Sequence, residues 1–312
     1  MQEEIDLNSQ GPTSGQLETD INVKIPQLNV ASNLTSQQVL DAILDAPEDV
    51  IMPWEDCLIP SKGIYYNWDT DKVKVKPLTL KAEKIMATQR LAASNQTIDY
   101  LFKHFVQFPV ANFDPKDLLV GDRMFIFYYL RGITYGNLYE FVVQCPDESC
   151  VDNSGNITKF THTYDLNRLA QTIRYPNPSI GTEPFRIVLP HISKIAGRDV
   201  YVGLRFLRGY DTITSKNKLK RDRSEFENAA TDMIAKSIIH VMDSPDPFKI
   251  DKFINRIHDS DFACIREFLK DNTPGMDATA KIECPKCGTE FSIELPITES
   301  FFRSQKAGRI RE

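Results

Sequence analysis

"KIECPKCGTEF", residues 281–291, sets two cysteines two residues apart on a turn that ends in glycine. Cys284 and Cys287 with Gly288 behind them have the form of a zinc knuckle, a tight turn whose backbone amides point at two thiolates. A structural zinc ion takes its ligands as a complete tetrahedron, and this stretch supplies only half of one. The fold is decided by where the other half lies.

The chain has six cysteines. Cys57, in PWEDCLIP, and Cys264, in DFACIREF, each stand alone among apolar neighbours and read as small buried hydrophobes. Cys145 and Cys150 remain, in QCPDESCVD, at a C-x4-C spacing that structural zinc sites use. Each pair begins Cys-Pro and follows an alternating stretch, YEFVVQ for the first and ATAKIE for the second. Each is followed by another extended stretch, NITKFTHTY or TEFSIELP. Two hairpins with a thiolate pair at each turn predict a four-cysteine zinc ribbon with Cys145, Cys150, Cys284 and Cys287 as its metal ligands. The alternative is four unmetallated thiols on unrelated loops, which two independent Cys-Pro turns argue against. His162 could replace one ligand, but four cysteines complete the set, and it reads as a partly exposed strand residue. A closed four-thiolate site has no open position for water or substrate, so the expected Zn2+ is structural. It would join segments 134 residues apart and so favour a fold with a long insertion between them.

Composition narrows the function classes. With 41% hydrophobic and 26% charged residues over 312 positions, the chain is that of an ordinary globular protein of about two domains. No apolar run approaches the ~18 residues of a membrane span. The start, MQEEIDLNSQGPTSGQ, has neither the basic head nor the apolar centre of a signal peptide. No membrane partner is expected, and the cysteines read as thiols or ligands, not as a disulfide framework. A net charge of −6 argues against general nucleic-acid binding. The one contrary feature is KNKLKRDR, residues 216–223, which leaves a zinc-ribbon nucleic-acid binder as the alternative function. No phosphate-binding glycine loop, His-Glu-x-x-His helix or nucleophile elbow is present, so neither an enzyme nor a small-molecule substrate is expected. Acidic pairs such as Asp259/Asp261 read as solvated loops.

The periodicities predict an α+β protein: a helical core, small antiparallel sheets and the discontinuous zinc ribbon. Residues 1–50 form a polar arm with one short helix, where Thr35 and Gln38 make a capping box ahead of Val39, Leu40, Ile43 and Leu44. Residues 51–165 hold LIPSKGIYY, the strand KVKVKPLT, a helix capped by Thr79, the helix TIDYLFKHFVQF, and GDRMFIFYYLRGITYG. The last is almost wholly apolar between Arg123 and Arg131, which makes it the central core helix, with Phe125, Phe127, Tyr128 and Leu130 buried. Residues 166–275 carry the strand pair FRIVLP and DVYVGLRFLRG and three helices, the first running from Ser224 to about Val241. Residues 276–312 hold the second zinc hairpin and a tail. Phe301 and Phe302 in that tail, like the apolar stripe of the arm, are expected to dock on other subunits, the alternative being that they fold back on the chain's own body.

Several of these segments resemble the T4-type bacteriophage baseplate protein family. The opening Pro60–Tyr65, the helix start Pro77–Ile85 and the block Leu118–Pro146 (DLLVGDR…LRGITYGNLYEFVVQCP) carry the likeness, with VYVGLRFLRGYD later. It is close over residues 58–165 and looser over 185–211. One departure is the C-x4-C of the first pair, where the family pattern leads one to expect C-x2-C. The resemblance implies a non-enzymatic component of the baseplate hub of a contractile tail, or a hub assembly factor. It implies other baseplate and hub proteins as partners, and a place in the virion tail after assembly in the host cytoplasm.

Overall fold

The computed structural model describes residues 35–47, 51–86, 96–212, 226–297 and 299–302. Most of the N-terminal arm and the basic run 216–223 lie outside the described residues. The chain divides into two compact units, Met1–Pro53 and Trp54–Glu312. In the first, helix α1 (Ser36–Asp45) carries the expected capping box, with the Thr35 hydroxyl accepting from the Gln38 amide and the Gln38 side chain accepting from the Thr35 amide. Its Leu40, Ile43 and Leu44 are exposed.

The second unit begins with an antiparallel sheet in the order β1 (Glu55–Leu58), β2 (Lys72–Val75), β3 (Val106–Gln107). Between its strands lie α2 (Leu80–Met86), whose first turn is capped by the Thr79 hydroxyl, and α3 (Gln96–Phe105). Helix α4 (Val120–Tyr135) follows and is the centre of the larger core: none of its residues is exposed. Phe127, Tyr128 and Leu130 are buried as expected, and Ile126 with them, whereas Phe125 is only half-buried, against Tyr129. Its small hydrophobic periodicity has the same cause, since a helix covered all round needs no polar face.

The polar residues of α4 explain the motifs around it. Asp122 is fully buried and accepts from the Ser61 amide (2.8 Å) and the Tyr66 hydroxyl (2.5 Å), while Tyr66 accepts from the Leu119 amide (2.7 Å). Burial still pushes its carboxyl up to about 6, against the hydrogen bonds that favour the anion. Arg123 pairs with Asp99 at 3.0 Å. Arg131 donates to the carbonyls of Gly136 (2.6 Å) and Leu138 (3.0 Å), beside the rings of Tyr135 and Tyr139. Gly121 is required by packing: a Cβ there would fall 2.0 Å from the Pro274 carbonyl oxygen.

Leu119 pairs with Arg208 in an isolated bridge, and the Gly209 amide donates to the Leu118 carbonyl (2.9 Å). Arg208 pairs with Glu183 (2.7 Å), and Arg205 makes a two-pronged contact with Asp211 (2.7 and 2.9 Å). PSKGIYY, LLVGDR and LRFLRGYD therefore meet at one joint.

Past α4, β4 (Leu138–Gln144) and β5 (Lys159–Asp165) form one hairpin, and β9 (Thr279–Glu283) and β10 (Glu290–Glu294) form another. Between them lies a sheet in the order β6 (Phe185–Val188), β7 (Tyr201–Leu204), β8 (Ile238–Val241). It is accompanied by α5 (Pro190–Ala196), α6 (Phe226–Ala235), α7 (Pro247–Ile254) and α8 (Asp259–Asn272). Phe185, Leu189, Val202, Leu204, Phe206, Ile238, Ile250 and Ile265 make a second core there.

Four expectations are corrected. The helix expected to run to Val241 ends at Ala235, and the β-branched Ile238–Val241 joins the sheet instead. The helix TIDYLFKHFVQF ends at Phe105, and Val106–Gln107 pairs with β2 instead, whereas the expected strand pair is present as β6 and β7, joined by α5 with Pro190 in its first turn. Asp261 is not solvated: it is fully buried and accepts from the amides of His191 (2.7 Å) and Ile192 (2.9 Å), the unsatisfied donors at the start of α5. Phe301 and Phe302 are buried in the chain's own core. Phe301 stacks on Phe127 (5.2 Å, 6°), Phe302 meets the same ring edge-on (4.6 Å), and the Tyr135 hydroxyl donates to the Phe302 carbonyl.

This packing sets a ranking for truncations in α4. Phe127→Ala should cost about 3–5 kcal/mol in urea unfolding, and Phe125→Ala markedly less because its ring is already part-solvated. Equal losses would contradict the assignment of Phe127 as the ring that seats the C-terminal phenylalanines.

Candidate metal centre

Both thiol pairs arise where a strand pair runs into its turn. In the first hairpin Gln144 pairs with Lys159, and the ladder continues past the strands: the Cys145 amide donates to the Thr158 carbonyl (2.9 Å) and the Thr158 amide to the Cys150 carbonyl (2.8 Å). The turn Pro146–Ser149 is tightened by the Asp147 carboxylate, which accepts from the Ser149 amide and hydroxyl. In the second hairpin Glu283 pairs with Glu290, the Cys284 amide donates to the Thr289 carbonyl (3.0 Å), and the Gly288 amide closes back on the Cys284 carbonyl (2.9 Å). Gly288 holds φ 73°, a left-handed conformation that glycine adopts without strain.

The turns bring all four thiols together, with every Sγ within 4.8 Å of every other. Across the hairpins, Cys145 Sγ lies 3.6 Å from Cys287 Sγ and Cys150 Sγ lies 3.9 Å from Cys284 Sγ. A disulfide needs about 2.05 Å, and all four cysteines are free. A tetrahedron with Zn–S arms of about 2.3 Å has S···S edges of about 3.8 Å, so the observed spacings fit a single tetrathiolate metal.

Cys145, Cys150 and Cys284 are buried and Cys287 is exposed. Ile157, Phe160 and Phe291 pack around them, and the two phenylalanines also reach the main core. Burial pushes the Cys145 thiol up to about 12, whereas the hydroxyl and then the amide of Thr289 hold the Cys287 thiol down at about 6. Cys287 is thus the most readily ionised of the two. Lys286 reaches across from the second knuckle to donate to the Val151 carbonyl, a further contact between the two hairpins.

Among the described residues, this is the one group of three or more histidine, cysteine or acidic side chains placed to hold a metal. His162 is outside it, half-buried in β5 opposite Phe141. Cys57 is fully buried in β1, as expected, and Cys264 is half-buried in α8, less enclosed than its apolar neighbours implied. Two threonines that the sequence reading does not single out support the thiols. Thr158 accepts from the Cys150 thiol (3.4 Å) and Thr289 contacts the Cys287 sulfur (3.2 Å). A signal for them exists, since each hairpin has a threonine where the return strand begins.

A sequence model of the family described as T4 bacteriophage base plate protein matches residues 55–303, a span that includes both cysteine pairs and the joint around Asp122. No curated protein and no solved structure matches the chain.

The geometry sets a metal-content test. Protein purified without chelator should carry about one zinc ion per chain, as measured by inductively coupled plasma mass spectrometry. Cys284→Ser or Cys145→Ser should lose most of it and unfold more readily, because an incomplete site no longer joins the hairpins. Cys57→Ala should keep it. Full zinc content in Cys284→Ser would remove that residue from the ligand set.

Proposed function

The chain belongs to the T4 bacteriophage base plate protein family, and on that footing we propose that it is a structural or assembly component of a contractile tail baseplate, in the hub region, stapled by a structural zinc ion. The observation that carries the reading is the family match over residues 55–303. Its working surface is then protein–protein contact, with neighbouring baseplate subunits as partners and the virion tail as destination.

The metal centre supports a structural role. Cys145, Cys150, Cys284 and Cys287 would hold the ion through four sulfurs, which leaves no coordination position for a substrate or an activated water. The polar groups of the family pattern support it as well. Asp122, Arg123, Arg205 and Arg208 are each engaged by other parts of the chain. No helix among the described residues is long and apolar enough to cross a membrane. The alternative, a zinc-ribbon nucleic-acid binder, rests on residues 216–223, which lie outside the described residues.

Phage carrying an early stop codon in this gene provides the test. Electron microscopy of the lysate should show baseplates arrested before completion, and supplying the chain in trans should restore them. Mass spectrometry of purified wild-type virions then separates a permanent subunit, which is present, from an assembly factor, which is absent. Complete, infectious tails formed without the chain would overturn the proposal.

A further inference from the structure

Helices α5 and α7 border an open groove of about 370 Å³. Ile192, Phe253 and Ile257 line it with apolar surface, and Lys249, Lys252 and Arg256 line it with positive charge. Lys249 and Lys252 stand one turn apart on one face of α7, and Arg256 follows in the turn just past the C-cap Asn255, its amide donating to the Phe253 carbonyl (2.9 Å) and its side chain lining the same groove. All three are exposed, and among the described residues none is in an ion pair. The adjacent Asp251 accepts instead from the Asn255 side chain.

Apolar surface continues beyond the groove. Phe248 is 75% exposed one turn before Lys252, and Ile195 is 70% exposed one turn after Ile192. On a chain of net charge −6, a row of unpaired cations beside recessed apolar side chains is a local reversal of sign.

We propose that this groove docks an acidic amphipathic helix of a partner protein, whose apolar face sits on Ile192, Phe253 and Ile257 while its carboxylates pair with Lys249, Lys252 and Arg256. Carboxylates one turn apart on a helix laid alongside α7 would meet Lys249 and Lys252, with Arg256 at the end of the groove taking a further one. A small molecule is disfavoured because its pockets enclose most of the ligand, and this groove is open. Phosphate backbones call for cations but gain nothing from an apolar floor. The inference stands independently of the metal centre and of the baseplate assignment.

The test uses the full chain and a fluorescein-labelled Leu/Glu amphipathic helix of about four turns, followed by fluorescence anisotropy. The wild type should bind it, more weakly as salt rises, and should bind neither a Leu/Lys helix nor a Ser/Glu control without the apolar face. The K249E/K252E/R256E variant should lose at least about tenfold in affinity, with an unchanged circular dichroism spectrum, since all three side chains are at the surface. Equal affinity in that variant, equal binding of the Ser/Glu control, or no binding of the Leu/Glu helix would each overturn the proposal. So would charge-dependent binding to random duplex DNA or phosphatidylglycerol vesicles in place of the peptide.

Discussion

A helix with no solvent face obliges the rest of the chain to satisfy it, and α4 is such a helix. Three of its buried residues, Asp122, Arg123 and Arg131, are of the acidic or basic types. A buried charge is tolerated only with partners, so each of these side chains calls a particular segment to its side. Asp122 takes the turn after β1 through the Ser61 amide and the Tyr66 hydroxyl. Arg123 holds α3 through Asp99. Arg131 binds two carbonyls at the exit of its own helix and so sets the direction in which the chain enters β4. Desolvation outweighs the hydrogen bonds and the nearby Arg208 at Asp122, whose carboxyl is raised to about 6.

That exit direction bears on the metal centre. β4 leaves α4 with Tyr139, Phe141 and Val143 turned into the main core, and Ala280, Ile282 and Leu295 of the second hairpin enter the same core. Both thiol pairs therefore project from hairpins anchored on one apolar body, and their sulfurs converge although the pairs are 134 residues apart in sequence. In the zinc reading the ion closes that long loop and offsets the charge of four thiolates which, so close together, could not all ionise without it. The sheet and helices between the hairpins then form an insertion tied at its base.

Much of this was legible from the sequence because the deciding signals are local. Alternation and Cys-Pro turns mark the two hairpins that carry the thiol pairs, the Thr35–Gln38 pair marks α1, and the apolar run between Arg123 and Arg131 marks the core helix. What was not legible depends on tertiary partners. Asp261 has the composition of a solvated loop, and only the approach of the start of α5 makes it a buried cap. Residues 238–241 continue a helical stretch in sequence, but a free edge of β7 claims them. Phe301 and Phe302 stand in polar company along the chain, and the aromatic surface of α4 and Tyr139 that covers them comes from far upstream. The resemblance named the family but not the reason for its motifs, which is that PSKGIYY, LLVGDR and LRFLRGYD pack around one buried carboxylate.

The claim most exposed to refutation is that one ion joins the two hairpins. X-ray absorption at the zinc edge of the purified chain tests it most directly. One ion held by all four cysteines gives a single shell of four sulfur neighbours at about 2.3 Å with no light-atom ligand. A mixed shell containing nitrogen or oxygen, or protein that folds fully without zinc and does not take it up, would contradict it.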